Sequence, residues 1–255
     1  MAWFKKSMRY EDNKITFMNM SGMYSGMDDA LAEYARSVVQ TEYIECSEIS
    51  GTECYCDDRA QELLRERISE HNVSVKSLHY IDNGNYHYLT KIMLERMDEP
   101  FNLLVIDNHP DMQSPLFGSI LSCGSWVKDM LSDNKYINRV CLYGVKEELI
   151  TEEIMHTDRV VVAKSHNGIM DALEAQIPLY ISIDKDALDK KDYITNWDQG
   201  SMRIEELEIL LKELSDSHNV CGADICGGMD SLMMAGSFDN NCNTDIRILK
   251  ALGCE

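Results

Sequence analysis

Three side chains able to bind a metal follow one apolar run. Leu103–Ile106 leads directly into Asp107, His109 and Asp111, within LLVIDNHPDMQSP at 103–115. Alternate residues of an extended segment point the same way, so the three can share one face. YISIDKDALD, at 180–189, repeats the plan with Asp184 and Asp186 after a second apolar run. A pair of divalent cations about 3.5 to 4 Å apart needs bridging carboxylates and terminal His or Asp ligands, and it activates a shared water. The two stretches supply four carboxylates and one imidazole. Of the seven histidines, His87 lies in a strand-to-helix turn just upstream and is the leading sixth ligand. His79, inside an apolar strand, reads as structural, and His71, His156, His166 and His218 read as surface residues. An oxygen and nitrogen set without thiolate suits Mn2+ or Fe2+ better than a structural zinc. A lone D-x-H-x-D could simply end a strand; the second D-x-D at a matching strand end turns the balance toward metal.

The elements around these residues alternate between strand and helix. KITFMNMS (14–21), a strand near 42–46, the short strand beginning VKSLHYI, 102–107, 139–143, 158–163, IPLYISI and VCGADI read as strands. Helices are expected after Ser25, from Asp57, after the turn at 83–85, after a cap at Ser125, over EELITEEIM, at 168–175, at 203–219 and at 245–252. Ile204, Leu207, Leu210, Leu211 and Leu214 make 203–219 the clearest amphipathic helix. Such alternation predicts an α/β fold of three αβα layers, a mostly parallel sheet with helices on both faces. In that architecture ligands gather at the carboxyl ends of strands, where Asp107 and Asp184 fall. The two clusters meet if their strands are neighbours.

The 255 residues are expected to form one domain, 1–255, with a sizeable core. A composition 44% hydrophobic and 27% charged is that of a folded protein. The net charge of −20 repels phosphate backbones and anionic lipid, which argues against nucleic acid or membrane as partner. Neither a spanning apolar run nor a signal-peptide pattern is seen. Nine scattered cysteines fit reduced thiols in a cytoplasmic protein, and the Cys54-x-Cys56 pair lacks a zinc-finger partner. The methionines read as core filling.

DNHPD resembles the D-A-H-x-D motif, and SIDKDALD the S-x-D-x-D-x-x-D-P motif, of the arginase, agmatinase and formiminoglutamase superfamily, the ureohydrolases. GNYHYL stands where that family has G-G-D-H-S, and GADICGG where it has its last strand. The similarity spans roughly 76–228, as in a remote member. The resemblance implies an arginase- or deacetylase-like fold and a binuclear manganese site, two Mn2+ per chain, which Fe2+, Co2+ or Zn2+ could also occupy. It makes His87, Asp107, Asp111 and Asp184 ligands of one metal, and His109, Asp107, Asp184 and Asp186 ligands of the other. Asp107 and Asp184 would then bridge. Asp111 would also accept a hydrogen bond from the attacking water and pass a proton to the leaving amine. A homo-oligomer is also suggested.

The departures concern substrate. Cys123, in LSCGSWV, occupies the place of a histidine associated with proton shuttling, and could serve as a weak acid or be inert. Lys190 replaces the proline after the second motif. Gly227 stands where the family has a glutamate that pairs with guanidinium, so Asp198 or Asp230 would have to supply that charge. Asn196 and Trp197 are candidate substrate contacts, with a packed loop anchor the equal alternative for the tryptophan, and Trp3 and Trp126 carry less signal still. The expected activity is hydrolysis of a non-peptide C–N bond, in first place a guanidino group with release of urea, on a small molecule or a peptidyl arginine. An amide hydrolase of deacetylase type is the alternative, and a non-catalytic metal-stabilised binding protein the second.

Overall fold

A computed structural model describes residues 14–25, 30–114, 120–229 and 238–254. The first half contains β1 (Lys14–Asn19), α1 (Ala30–Val38), β2 (Gln40–Glu45), β3 (Tyr55–Cys56), α2 (Asp58–Glu70), β4 (Leu78–Ile81), α3 (Leu89–Leu94) and β5 (Phe101–Ile106). Then follow β6 (Leu121–Ser122), α4 (Trp126–Asp133), β7 (Ile137–Tyr143), α5 (Glu152–Met155) and β8 (Val160–Ala163). The chain continues through α6 (His166–Ala172), β9 (Leu179–Asp184), α7 (Ile204–Ser217), β10 (Val220–Cys226) and α8 (Phe238–Ala251).

Eight strands form one sheet in the order β2-β1-β4-β10-β9-β5-β7-β8, and every pairing in it is parallel. Alternation along each strand divides the core into two. Leu104 and Ile106 of β5 and Ile181 and Ile183 of β9 pack with α1, α6, α7 and α8, whereas Leu103, Val105 and Tyr180 pack with α2, α3 and α4. Both faces are therefore covered, as the continuous apolar runs of β5 and β9 require. The three-layer α/β architecture and its mostly parallel sheet agree with the sequence reading. β5 and β9 are direct neighbours, with Ile106 opposite Ile183, so the acidic residues that follow each strand emerge side by side.

Several local expectations change. Ser125 precedes α4 but makes no side-chain cap; its hydroxyl donates to Asp129 Oδ2 at 2.9 Å instead. EELITEEIM is two pieces, a 3-10 turn at Glu147–Leu149 and α5, because Thr151 caps the second by accepting from Ile154 N at 3.3 Å. The polar loop before Asp58 contributes β3, which pairs antiparallel with β6 beside the site. No helix among the described residues is long and apolar enough to cross a membrane.

Candidate metal centre

The site grows from the carboxyl ends of β5 and β9. Asp107 directs Oδ2 to His87 Nδ1 at 3.2 Å and Oδ1 to His109 Nδ1 at 3.5 Å, so one carboxylate lies between two imidazoles. Asp184 Oδ2 lies 3.6 Å and Asp111 Oδ2 3.0 Å from His87 Nδ1, and Asp186 Oδ2 lies 2.8 Å from His109 Nδ1. Two compact donor trios result, His87, Asp107 and Asp184, and Asp107, His109 and Asp186, each with donor atoms within 4.8 Å of one another. Asp107 belongs to both. Asp184, expected to bridge as well, belongs only to the first, and Asp111 stands beside that trio through its contact with His87.

Local hydrogen bonds hold these carboxylates. His109 N donates to Asp107 Oδ1 at 2.6 Å, and Asp186 N to Asp184 Oδ1 at 3.0 Å, so each D-x-[HD] turn closes on its own first aspartate. Asn108 N donates to Asp186 Oδ1 at 3.0 Å and ties one turn to the other. Asp111 sits at φ +48°, and its carbonyl accepts from Val127 N at 3.1 Å. The indole of the buried Trp126 donates to Asp111 Oδ2 at 2.6 Å.

Both histidines are oriented from behind. Ser182 gives its hydroxyl proton to Asp224 Oδ1 at 2.7 Å and so accepts from His87 Nε2 at 2.9 Å, which leaves Nδ1 toward the carboxylates. His109 Nε2 meets Asp198 Oδ1 at 3.1 Å, again with Nδ1 inward. An imidazole whose outer nitrogen is held by an oxygen while the inner one faces carboxylates is the usual setting of a metal-binding histidine. The donor set thus fits divalent cations.

The electrostatics point the same way. Burial, then repulsion from neighbouring aspartates, raises the carboxyls of Asp184 and Asp186 above the usual range and pushes Asp111 up to about 6. Burial opposes charge on Asp107 too, but hydrogen bonds from His109 and His87 hold it low. Desolvation works against a charged His109, yet Asp107 and Asp186 raise it to about 12. Such crowding of buried negative charge is relieved by a cation.

The site opens into a cavity of about 240 Å³. Apart from the six acidic and imidazole side chains, its described wall is neutral, made of Cys54, Tyr55, Gln113, Ser122, Cys123, Trp197 and two glycines. Burial and the nearby Asp111 keep the Cys123 thiol protonated, and it neighbours Cys54 across the β3–β6 pair. Trp197 is part of the wall: its Nε1 donates to Asn85 Oδ1 at 2.9 Å, and a Cβ at Gly84 would come within 2.7 Å of its ring. Asn196 also donates to Asn85, at 3.3 Å, but does not line the cavity. Asp198 is turned outward onto His109 and Asn108 rather than into the cavity. Asp230 lies outside the described residues. Gly227 has φ +81°, and a Cβ there would lie 2.3 Å from Asp184 Oδ1, so no side chain of any kind fits without displacing that aspartate.

His79 is fully buried, between Tyr180 OH at 3.2 Å and Ser74 O at 2.9 Å, away from the cavity. Sequence reasoning passed over Ser182, Asp224 and Trp126. Their available signals were a hydroxyl two residues before Asp184 in the same strand and an acid inside the apolar VCGADIC; Trp126 offered none beyond its type.

A parallel α/β sheet with paired His and Asp donors at adjacent strand ends defines the arginase-like class of metallohydrolase folds. The chain belongs to the arginase family, whose model matches residues 70–227, and with it to the ureohydrolase superfamily. It is similar to an uncharacterized protein of Thermotoga maritima, 33% identical over 153 residues, which are 60% of this chain and 58% of that protein. Among solved structures it resembles proclavaminate amidino hydrolase from Streptomyces clavuligerus, with TM-score 0.68 and 14% identity over 96% of this chain and 93% of that one. Arginase from Bacillus cereus gives TM-score 0.68 at 13% identity, covering 95% and 99% of the two chains. Formimidoylglutamase from Bacillus subtilis subsp. subtilis str. 168 gives 0.62 at 14%, covering 97% and 90%.

Proposed function

We propose that the chain, as one arginase-like unit, is a binuclear manganese hydrolase of a non-peptide C–N bond, acting first on a guanidino group with release of urea. The observation that carries this reading is Asp107, which offers one oxygen to each of two imidazole–carboxylate trios. His87, Asp107, Asp111 and Asp184 would hold one cation and His109, Asp107 and Asp186 the other, with Asp184 turned toward the first. Bound divalent cations would lower the pKa of a shared water and draw off the negative charge that builds on the attacked group. Asp111, fixed by Trp126 and raised toward neutrality, is suited to take a proton and return it to the leaving amine. Cys123 is left as wall, since its proton is held too tightly for a base at neutral pH. The negative field of the chain favours a cationic substrate, free or within a peptide.

A second reading is favoured by Gly227 and by the neutral wall. Among the described residues no carboxylate outside the donor set lines the cavity, which suits an amide better than a guanidinium. One experiment separates the two. Manganese-loaded protein is given guanidino compounds, arginine-containing peptides and acylated amines, and urea, amine and carboxylate are measured. Urea release supports the first reading and carboxylate release the second; two metals with no product from any substrate would leave a binding protein.

A further inference from the structure

Between the two ligands of the second cluster stands a lysine whose charge is entirely inside the protein. Lys185 is 1% exposed, within the 3-10 turn Lys185–Ala187, and its side chain runs to the α8 side of the sheet, away from the cavity. There Nζ donates to Tyr193 OH at 2.7 Å and to Asp245 Oδ1 of α8 at 2.9 Å, while Tyr193 OH donates to Asp245 Oδ2 at 3.1 Å. The ammonium also lies 4.3 Å from the ring centre of Tyr193 and 5.6 Å from that of Tyr80. Asp245 is itself 4% exposed and stands among the apolar residues of the α7–α8 core.

A buried ion pair gains little over an apolar filling of the same volume, because desolvation cancels most of the attraction. Its geometry, however, is far more directional. On the cavity side Asp186 is met by Asn108 N and His109, and Asp186 N closes on Asp184. Behind them the turn is held by backbone, with Leu188 N on Lys185 O at 3.1 Å and Gly200 N on Asp186 O at 2.7 Å, and Gly227 leaves room beside Lys185 N. A small rotation of the turn would therefore draw the ammonium off its carboxylate and would swing Asp184 and Asp186 together, since both adjoin the same residue.

We propose that Lys185 and Asp245 form a buried clamp by which α8 holds Asp184 and Asp186 in their metal-binding orientation, an inference that rests on the metal reading above. The pair is positioning machinery and touches neither substrate nor cation. The clamp also links α8, more than fifty residues further along the chain, to the metal affinity of the turn.

Manganese titration of metal-free protein by calorimetry, with the melting temperature of the same samples, tests the clamp. The variant Lys185→Met/Tyr193→Phe/Asp245→Leu removes the three described polar members together. It is expected to melt within a few degrees of the parent yet bind manganese at least tenfold more weakly; Asp245→Asn should weaken binding in the same direction by less. Parent-like affinity in the triple variant overturns the clamp. If the triple variant does not fold, Asp245→Asn decides alone, and unchanged affinity there overturns it. Parent protein that binds no manganese would instead overturn the metal reading itself.

Discussion

Trp126 donates its indole N–H to Asp111 Oδ2 across 2.6 Å, from a ring fully buried behind the site. The same oxygen lies 3.0 Å from His87 Nδ1, so the indole restricts the carboxylate on the side away from the cavity. A hydrogen bond to a buried charged group is worth about 1.5–3 kcal/mol. Trp126→Phe keeps most of the ring volume and removes the donor, so it should lower the unfolding free energy by about 2 kcal/mol and reduce turnover while leaving KM near its parent value. Urea unfolding and steady-state kinetics on the best substrate check this; a stability change below about 0.5 kcal/mol would show the contact to be energetically empty.

Ser182 should matter to metal binding although it is not a proposed ligand. It sits directly opposite Asp224 in the β9–β10 register and transmits that carboxylate to His87. Removing such an outer partner commonly costs about 10- to 100-fold in metal affinity. Ser182→Ala should therefore weaken manganese binding within that range, read by competition with a chelator. Parent-like affinity would mean that packing alone orients His87.

How much of this could be read from the sequence depends on distance along the chain. Asp107, His109, Asp111, Asp184 and Asp186 were legible because buried apolar runs seldom end in alternating acids, and each cluster is local. Their convergence followed from strand order, which alternation suggests but only the β5–β9 register establishes. Ser182, Asp224 and Trp126 were not legible in their roles, since each depends on a partner in another element. The start of α8 was missed for a related reason. Asn240, Asn241 and Thr244 are poor helix formers, but their side chains bond the carbonyls of Asp192 and Ile194, and that tertiary gain overrides propensity.

Gly227→Ala should be harmful out of proportion to one methyl group. The backbone there is left-handed at φ +81°, and the new Cβ would stand 2.3 Å from Asp184 Oδ1. Backbone strain alone costs about 1–3 kcal/mol, and the clash adds displacement of a proposed ligand. We expect reduced stability together with loss of manganese from the first trio, measured by unfolding and elemental analysis. Gly227→Glu should likewise fail to create a guanidinium partner. Full metal content in Gly227→Ala would show that Asp184 can shift without leaving the site.

His79 sets a pH dependence that can be isolated from the metal centre. Burial lowers its imidazole from 6.5 to about 4, and the ring meets Ser74 O at 2.9 Å and Tyr180 OH at 3.2 Å. The unfolded chain therefore takes up a proton near pH 6.5 that the folded chain resists until about pH 4. The contribution to stability is full above the unfolded value and is lost as pH falls through that window, by roughly 3 kcal/mol in all. Asp224, pushed up to about 6 by burial, acts in the opposite sense, because the folded state then binds the extra proton. The two effects partly cancel in the parent, so the comparison must be with a variant. In His79→Gln the histidine contribution is gone, and metal-free protein should lose less stability than the parent between about pH 7 and pH 4, by roughly 3 kcal/mol. Urea unfolding at several pH values gives both curves. Parallel curves would mean that folded His79 takes up its proton over the same pH range as the unfolded chain, so that burial does not hold the ring neutral.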